Sequence, residues 1–187
     1  YKKLRRLNIK FELWIFDNKS SDNTALIVKK LLKKYKNLKY YKQKKHVGYA
    51  LNFMSAIKIP NAHYKFVIDG DGQYDVGDIK KILKLLKNRC DLVFGIRKKR
   101  QDPFFRKFIS NIFNFACKFI IRSNLKDINC GFVGFSKSVA NKIKTNYKYN
   151  FIKPEIFALS KIFKFDICEV NVRHYKRKKG KSIFTGP

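Results

Sequence analysis

Short apolar runs alternate with amphipathic stretches along the chain, with polar turns between them. Phe11-Glu12-Leu13-Trp14-Ile15-Phe16 reads as a buried strand, closed by the turn-forming run Asp17-Asn18-Lys19-Ser20-Ser21. Asp22 or Asn23 then caps a helix from Thr24 to Lys34, with Leu26, Ile27, Leu31 and Tyr35 at inward spacings. A short strand at Leu38–Tyr41 precedes a helix with Ala50, Leu51, Met54 and Ile57 on one side. Tyr64-Lys65-Phe66-Val67-Ile68 is the next strand and runs straight into Asp69-Gly70-Asp71-Gly72-Gln73. A helix carrying Ile79, Ile82, Leu83 and Leu86 and a strand from Asp91 to Ile96, ending at Arg97, complete this half. Strands alternating with helices predict an α/β domain whose sheet is mostly parallel and covered on both faces.

In such sheets ligands collect beyond the carboxyl ends of the strands. Three strand ends carry polar sets: Asp17-Asn18, Asp69-x-Asp71-x-Gln73, and Arg97. Only 13 acids occur in the chain, yet Asp69, Asp71, Asp75 and Asp78 fall within ten residues. Asp69 and Asp71 share a face of an extended segment, while Gly70 and Gly72 let the backbone bend. Their two carboxylates and the amide oxygen of Gln73 form an oxygen-only set suited to Mg²⁺ or Mn²⁺. Asp78 reads instead as a helix cap.

The 187 residues suit one domain, and 45% hydrophobic with 16% aromatic content excludes a disordered basic tail. No run approaches the length of a membrane span, and no charged-then-apolar leader opens the sequence. Cys90, Cys117, Cys130 and Cys168 follow neither a redox-pair nor a zinc spacing and are expected as free thiols in a reducing cytosol. A formal charge of +31 implies an anionic partner: nucleic acid, a phospholipid surface or a phosphorylated substrate. Lysines that merely solvate the surface are the competing explanation of that charge.

Several segments together resemble a family 2 glycosyltransferase. Phe16-Asp17-Asn18-Lys19-Ser20-Ser21-Asp22-Asn23-Thr24 is similar to the family's Asp-Asp-Gly-Ser-x-Asp-x-Thr turn, with Asn18 in place of the second Asp. Asp69-Gly70-Asp71-Gly72-Gln73-Tyr74-Asp75 resembles its metal-binding Asp-x-Asp-x-Gln motif, and His46 to Asn52 fits the segment between them. Later segments resemble the dolichyl-phosphate mannose synthase and polyprenyl-phosphate glycosyltransferase branch. These are Gly95-Ile96-Arg97, Arg106 to Ser110 with Asn114, Asp127 with Cys130-Gly131-Phe132, Pro154-Glu155-Ile156, and Glu169 to Ser182. Cys130 stands where that branch has Ser.

The resemblance implies a nucleotide-diphospho-sugar transferase (GT-A type) fold. It presents residues 1–187 as a single catalytic domain lacking the first strand, since Tyr1 falls within the first helix. It implies inverting transfer of a hexose from a nucleotide-diphospho-sugar donor to a polyprenyl phosphate at the cytoplasmic face of a membrane. Donor contacts would come from Asp17, Asn18, Asp69 and Asp71, and metal contacts from Asp69, Asp71 and Gln73. Acceptor-phosphate contacts would come from Arg97, Arg106, Ser110, Arg177 and Ser182; Asp71, Arg97, Arg106 and Arg177 would form the catalytic set. A phosphate monoester has a second pKa of about 6 and is largely dianionic at neutral pH. Such a nucleophile needs placement and charge compensation rather than a base, and the forked donors of arginine suit it.

Phe105 to Ile121 is an aromatic-rich helix flanked by Arg106, Lys107, Lys118 and Arg122, a composition suited either to an anionic membrane surface or to a core. Glu155 reads equally as a catalytic acid or an orienting carboxylate; His46, His63 and His174 receive no chemistry. Two alternatives stay open: transfer to a surface polysaccharide or other glycan, and a basic nucleic-acid-binding module. The first would need a carboxylate base beside the acceptor, and the second has no use for an acidic pair that repels phosphates.

Overall fold

Beta-branched and aromatic residues dominate the runs that form strands, and Lys- and Leu-rich stretches form the helices between them. The computed structural model describes residues 1–98, 104–145 and 151–177. In chain order these are α1 (Lys2–Arg5), β1 (Leu13–Asp17), α2 (Thr24–Lys34), β2 (Leu38–Lys42), α3 (Gly48–Lys58) and β3 (Tyr64–Ile68). A 3-10 turn (Val76–Asp78) leads into α4 (Ile79–Asn88), β4 (Leu92–Lys98) and α5 (Phe104–Ile120). The chain continues through β5 (Phe132–Ser136), α6 (Lys137–Lys142), α7 (Ile152–Ile162) and β6 (Ile167–Arg173).

β1 and β2 pair in parallel, while the larger sheet has the order β3-β5-β4-β6. The α/β architecture is as expected, but the larger sheet is mixed rather than mostly parallel. β5 lies antiparallel to both β3 and β4, and only β4 and β6 pair in parallel. The reversed strand has a consequence for the site. β3, β4 and β6 all point the same way, so their carboxyl ends and the start of β5 meet at one edge of the sheet.

Alternation along the strands divides the core in two. Leu92, Phe94, Val133 and Phe135 face α3 and α7, packing with Phe53, Ile57, Ile156 and Phe157. Val93, Phe132 and Val172 face α4 and α1, packing with Ile79, Ile82, Leu86 and Leu4. Each fully buried side chain of this size contributes about 1.5–3 kcal/mol, so the two layers fix the sheet edge firmly. Gly134 lets α4 approach, since a Cβ there would lie 2.3 Å from Ile82 Cγ2.

Three expectations change. On α2 it is Val28 that is buried, whereas Leu26 and Ile27 are exposed, because α2 covers only the narrow two-stranded sheet. Asp78 makes no side-chain cap; it pairs with Arg173 and Lys81, and Asp75 caps the 3-10 turn by accepting from Gly77 N. Cys90 and Cys168 form a disulfide, with Cα atoms 6.0 Å apart, whereas Cys117 and Cys130 are free and buried. β4 and β6 run side by side, so Cys90, just before β4, and Cys168, within β6, come together although 78 residues apart in sequence. The thiol argument for a reducing compartment falls with that pairing.

Candidate active site

β3 ends at Ile68, and the chain turns outward through Asp69, Gly70 and Asp71. Asp69 is held from three directions. Its amide donates to Gly131 O at 3.0 Å, and its Oδ1 accepts from the Tyr49 hydroxyl at 2.9 Å. Its Oδ2 lies so close to Gly131 that a Cβ there would sit 2.0 Å away, so residue 131 must lack a side chain. Burial, and then the charge of Asp69, push the Tyr49 hydroxyl well above its ordinary pKa, which keeps the proton on the donor. Lys153, buried at the start of α7, sets its ammonium 5.3 Å from the Tyr49 ring and 5.9 Å from the Phe53 ring.

Asp71 Oδ1 accepts from Gln73 N at 3.0 Å, and its Oδ2 meets Arg177 Nη2 at 2.8 Å. The segment after β6 runs along this loop. His174 bridges Tyr74, Tyr175 N donates to Gln73 O at 2.8 Å, and Gln73 Nε2 donates to Tyr175 O at 3.1 Å. Gln73 is therefore buried as a tie between two loops, with its Oε1 3.5 Å from Arg177 Nη2. Lys3, Tyr74, Tyr175 and Arg177 line a cleft of 510 Å³ beside it.

Arg97, at the end of β4, takes a different position from the one expected of an open phosphate ligand. Its Nε and Nη2 both reach Asp127 at 2.7 Å, and both side chains are largely buried. Burial disfavours its charge, yet the hydrogen bonds and charge of Asp127 outweigh that and raise its pKa. Glu169 Oε1 holds the backbone amides of Lys126 and Asp127 at 2.8 and 3.3 Å, fixing the loop that supplies the pair. Tyr74 lies between the groups: its hydroxyl accepts from Gly131 N at 2.8 Å and feels the charges of both Arg97 and Asp69. Cys130, where the resemblance expects Ser, is fully buried beside it, and burial followed by Asp127 pushes its thiol up to about 12. It is no nucleophile at neutral pH.

Asp17 is spent on its own turn. Oδ1 accepts from Ser20 N and Oγ at 2.7 and 2.6 Å, and Oδ2 accepts from Tyr40 at 2.5 Å. Burial opposes ionisation, but these bonds prevail and lower its pKa. Asn18 Oδ1 accepts from Val47 N at 2.9 Å, and its Nδ2 lies 3.2 Å from His46 Nε2. Asp17 and Asn18 thus close the loops around the β1 end rather than presenting free carboxylate.

On α5, Ser110 is buried, and Asn114 one turn on donates to Lys126 O at 3.2 Å, toward the Arg97–Asp127 pair. Among the described residues Ser110 Oγ, Asn114 Oδ1 and Arg177 Nε are buried without a hydrogen-bond partner. Ser182 and the side chain of Arg106 lie outside the described part of the structure. The structure therefore brings Asp69, Asp71, Gln73 and Arg177 together, sets Arg97 on Asp127 behind Tyr74, and leaves Asp17 and Asn18 in a neighbouring turn.

The fit to a divalent cation follows from the donor set. Among the described residues no group of three or more His, Cys, Asp or Glu side chains can enclose an ion. Two adjacent carboxylates at an open sheet edge suit Mg²⁺ or Mn²⁺, which keep waters and accept substrate phosphates as further ligands.

Comparison with known proteins gives the family and the fold. Residues 2–144 match the model of glycosyl transferase family 2. A dolichyl-phosphate beta-glucosyltransferase of Dictyostelium discoideum is 26% identical over 76% of this chain and 47% of its own length. A dolichol-phosphate mannosyltransferase of Pyrococcus furiosus is 26% identical over 94% of this chain and 53% of its own. The chain thus spans about half the length of these relatives. Among solved structures, the Pyrobaculum calidifontis mannosyltransferase PcManGT, in complex with GDP-Man and Mn²⁺, superposes with a TM-score of 0.64. It is 12% identical, covering 96% of this chain and 53% of that one, and shares the α/β glycosyltransferase fold. With the family model matched over most of its residues, the chain belongs to glycosyl transferase family 2.

Proposed function

We propose that the protein transfers a hexose from a nucleotide-diphospho-sugar to a polyprenyl phosphate, with inversion, at the surface of a membrane to which it is peripheral. The observation that carries this reading is the contact of Asp71 with Arg177, whose Nε is buried with no partner among the described residues. A carboxylate suited to the donor's metal and a guanidinium suited to a phosphate oxygen occupy one site. The relatives named for dolichyl phosphate support the acceptor class.

Asp69 and Asp71 hold Mg²⁺ or Mn²⁺, which when bound neutralises the charge of the departing diphosphate. Gln73 Nε2 ties the segment bearing Arg177 to the aspartate loop, and its Oε1, on the same side as Asp71, would be the third oxygen of the set. An acceptor phosphate oxygen forms the bond to the anomeric carbon as the bond from that carbon to the donor diphosphate breaks, releasing the nucleoside diphosphate. No base is needed, and none is assigned. Arg177, Arg106, Ser110 and Ser182 orient the acceptor phosphate, and Asp17 and Asn18 shape the turn beside the donor base. Arg97, neutralised by Asp127 in a buried pair, holds the loop behind Tyr74.

The membrane partner is supported by α5, where Phe104, Phe108, Ile112, Phe115, Phe119 and Ile120 are all more than half exposed. Its inward face is the narrow row Ser110, Phe113 and Cys117. The helix has no acidic residue, and no described helix is long and apolar enough to cross a membrane. A helix with its broad apolar face turned outward, in a chain of charge +31, suits adsorption to anionic lipid.

The direct test is incubation with a panel of nucleotide sugars, Mn²⁺ or Mg²⁺ and a polyprenyl phosphate, with product read as lipid-linked sugar. Asp71→Ala should abolish transfer and metal-dependent donor binding, while Arg106→Ala should abolish transfer and leave donor binding intact. Transfer to a glycan in the absence of lipid phosphate would replace this reading with the glycan alternative. Binding to nucleic acid that ignores Asp71→Ala and weakens steeply with salt would replace it with the nucleic-acid alternative.

A further inference from the structure

We propose that Tyr49 is a positioning residue that fixes the carboxylate of Asp69 for metal binding, with Gly131 as the opposing wall and Lys153 as the support of the tyrosine ring. This rests on the reading of Asp69 as a metal-binding carboxylate. An aspartate at the end of a strand has two freely exchanged side-chain torsions, and a carboxylate that rotates offers a cation a poor ligand. Here both torsions are restricted. The Tyr49 hydroxyl holds Oδ1 at 2.9 Å, and Oδ2 lies against the bare Cα of Gly131.

The tyrosine is itself held. It stands on the first turn of α3, with its ring 5.8 Å from that of Phe53, one helical turn on. The Lys153 ammonium lies near both rings and donates to Asn129 O at 3.3 Å. That lysine belongs to α7 and is only 6% exposed, so it is no solvated surface charge. Three elements far apart in sequence (α3, the β5 start and α7) thus converge on one carboxylate.

The test is a Mn²⁺ titration followed by the paramagnetic signal of the free ion, on the full chain and on Tyr49→Phe, Asp69→Asn and Asp71→Asn. Tyr49→Phe removes one O–H and keeps the ring on Phe53 and Lys153, so its thermal midpoint should change little. Its Mn²⁺ affinity should fall at least about tenfold, the lower end of the effect of removing an outer partner of a metal ligand. In turnover the Mn²⁺ concentration for half-maximal rate should rise by the same factor, while the rate at saturating Mn²⁺ is largely kept. Loss of Mn²⁺ binding in both aspartate variants with unchanged affinity in Tyr49→Phe would overturn the positioning role alone. Unchanged Mn²⁺ binding in Asp69→Asn would overturn the metal reading itself and the positioning role with it.

Discussion

A methyl group at Gly131 would meet Asp69 Oδ2 at 2.0 Å and Cγ at 2.5 Å, distances at which one side must move. Gly131 N is bound to Tyr74 and Gly131 O to Asp69 N, so the backbone is pinned and the carboxylate is the part that yields. Gly131→Ala should therefore lose Mn²⁺-dependent donor binding and destabilise the fold by about 1–3 kcal/mol, the usual cost of overpacking. Calorimetric titration with donor and a urea melt measure the two effects separately. At this scale the place of the aspartates at a strand end was legible, because an apolar run breaks directly into two Asp-Gly steps. Arg97 was legible as a strand-end cation but not as the partner of Asp127, which lies 30 residues on. Tyr49 and Lys153 left one weak signal each: a tyrosine after the glycine that opens α3, and a lysine between Ile152 and Pro154 near the start of α7. Neither gains meaning until the fold sets it beside Asp69.

The elements themselves were read well wherever apolar periodicity ran uninterrupted: β3 and β4 lie within two residues of expectation. β5 was read as a glycine-containing motif and not as a strand, and its reversed direction is a fact of pairing that no local pattern carries. The Cys90–Cys168 disulfide has the same origin, since it depends on the register of β4 against β6. It joins the end of α4 to the strand whose continuation bears Tyr175 and Arg177. Closing a loop of 78 residues is worth about 4.5 kcal/mol on chain-entropy grounds. A reductant should accordingly lower the urea midpoint of the protein and leave that of a Cys90→Ala, Cys168→Ala double variant unmoved. On α5 the argument turns on which face looks outward. Phe108→Glu with Phe115→Glu places two charges on the exposed apolar face without touching Ser110 or Asn114. Cosedimentation with anionic vesicles should be lost, while the urea midpoint changes little, as expected of substitutions at exposed positions.

Across the whole molecule, 13 carboxylates stand against 44 cationic side chains, so positive charge is in large excess. At Asp75 and Asp78 burial raises the cost of ionisation, but Lys3, Arg173, Tyr175 and Lys81 outweigh it and lower both pKa values below 3.8. Asp17 is lowered in the same sense by Ser20 and Tyr40. A carboxylate whose pKa is lower in the folded state contributes stability that is complete above pH 3.8 and is lost as pH falls through the folded value. Glu169 has the opposite sign. Burial raises it above 4.5, so its contribution is present below that pH and is lost as pH rises through the raised value. Among the described residues, three buried acids lowered against one raised predict a protein that holds its fold to about pH 4 and then fails steeply. Neutralising the carboxylates also drives the net charge from +31 toward +44, adding self-repulsion to the lost ion pairs. Added salt screens that repulsion at a Debye length of about 8 Å at 0.15 M, while the buried pairs of Asp75 and Asp78 are screened far less. The midpoint of acid unfolding, followed by circular dichroism, should therefore move to lower pH as salt is raised. Asp78→Asn, which removes one lowered acid from the Arg173 network, should flatten the transition and reduce stability at pH 7 more than at pH 3.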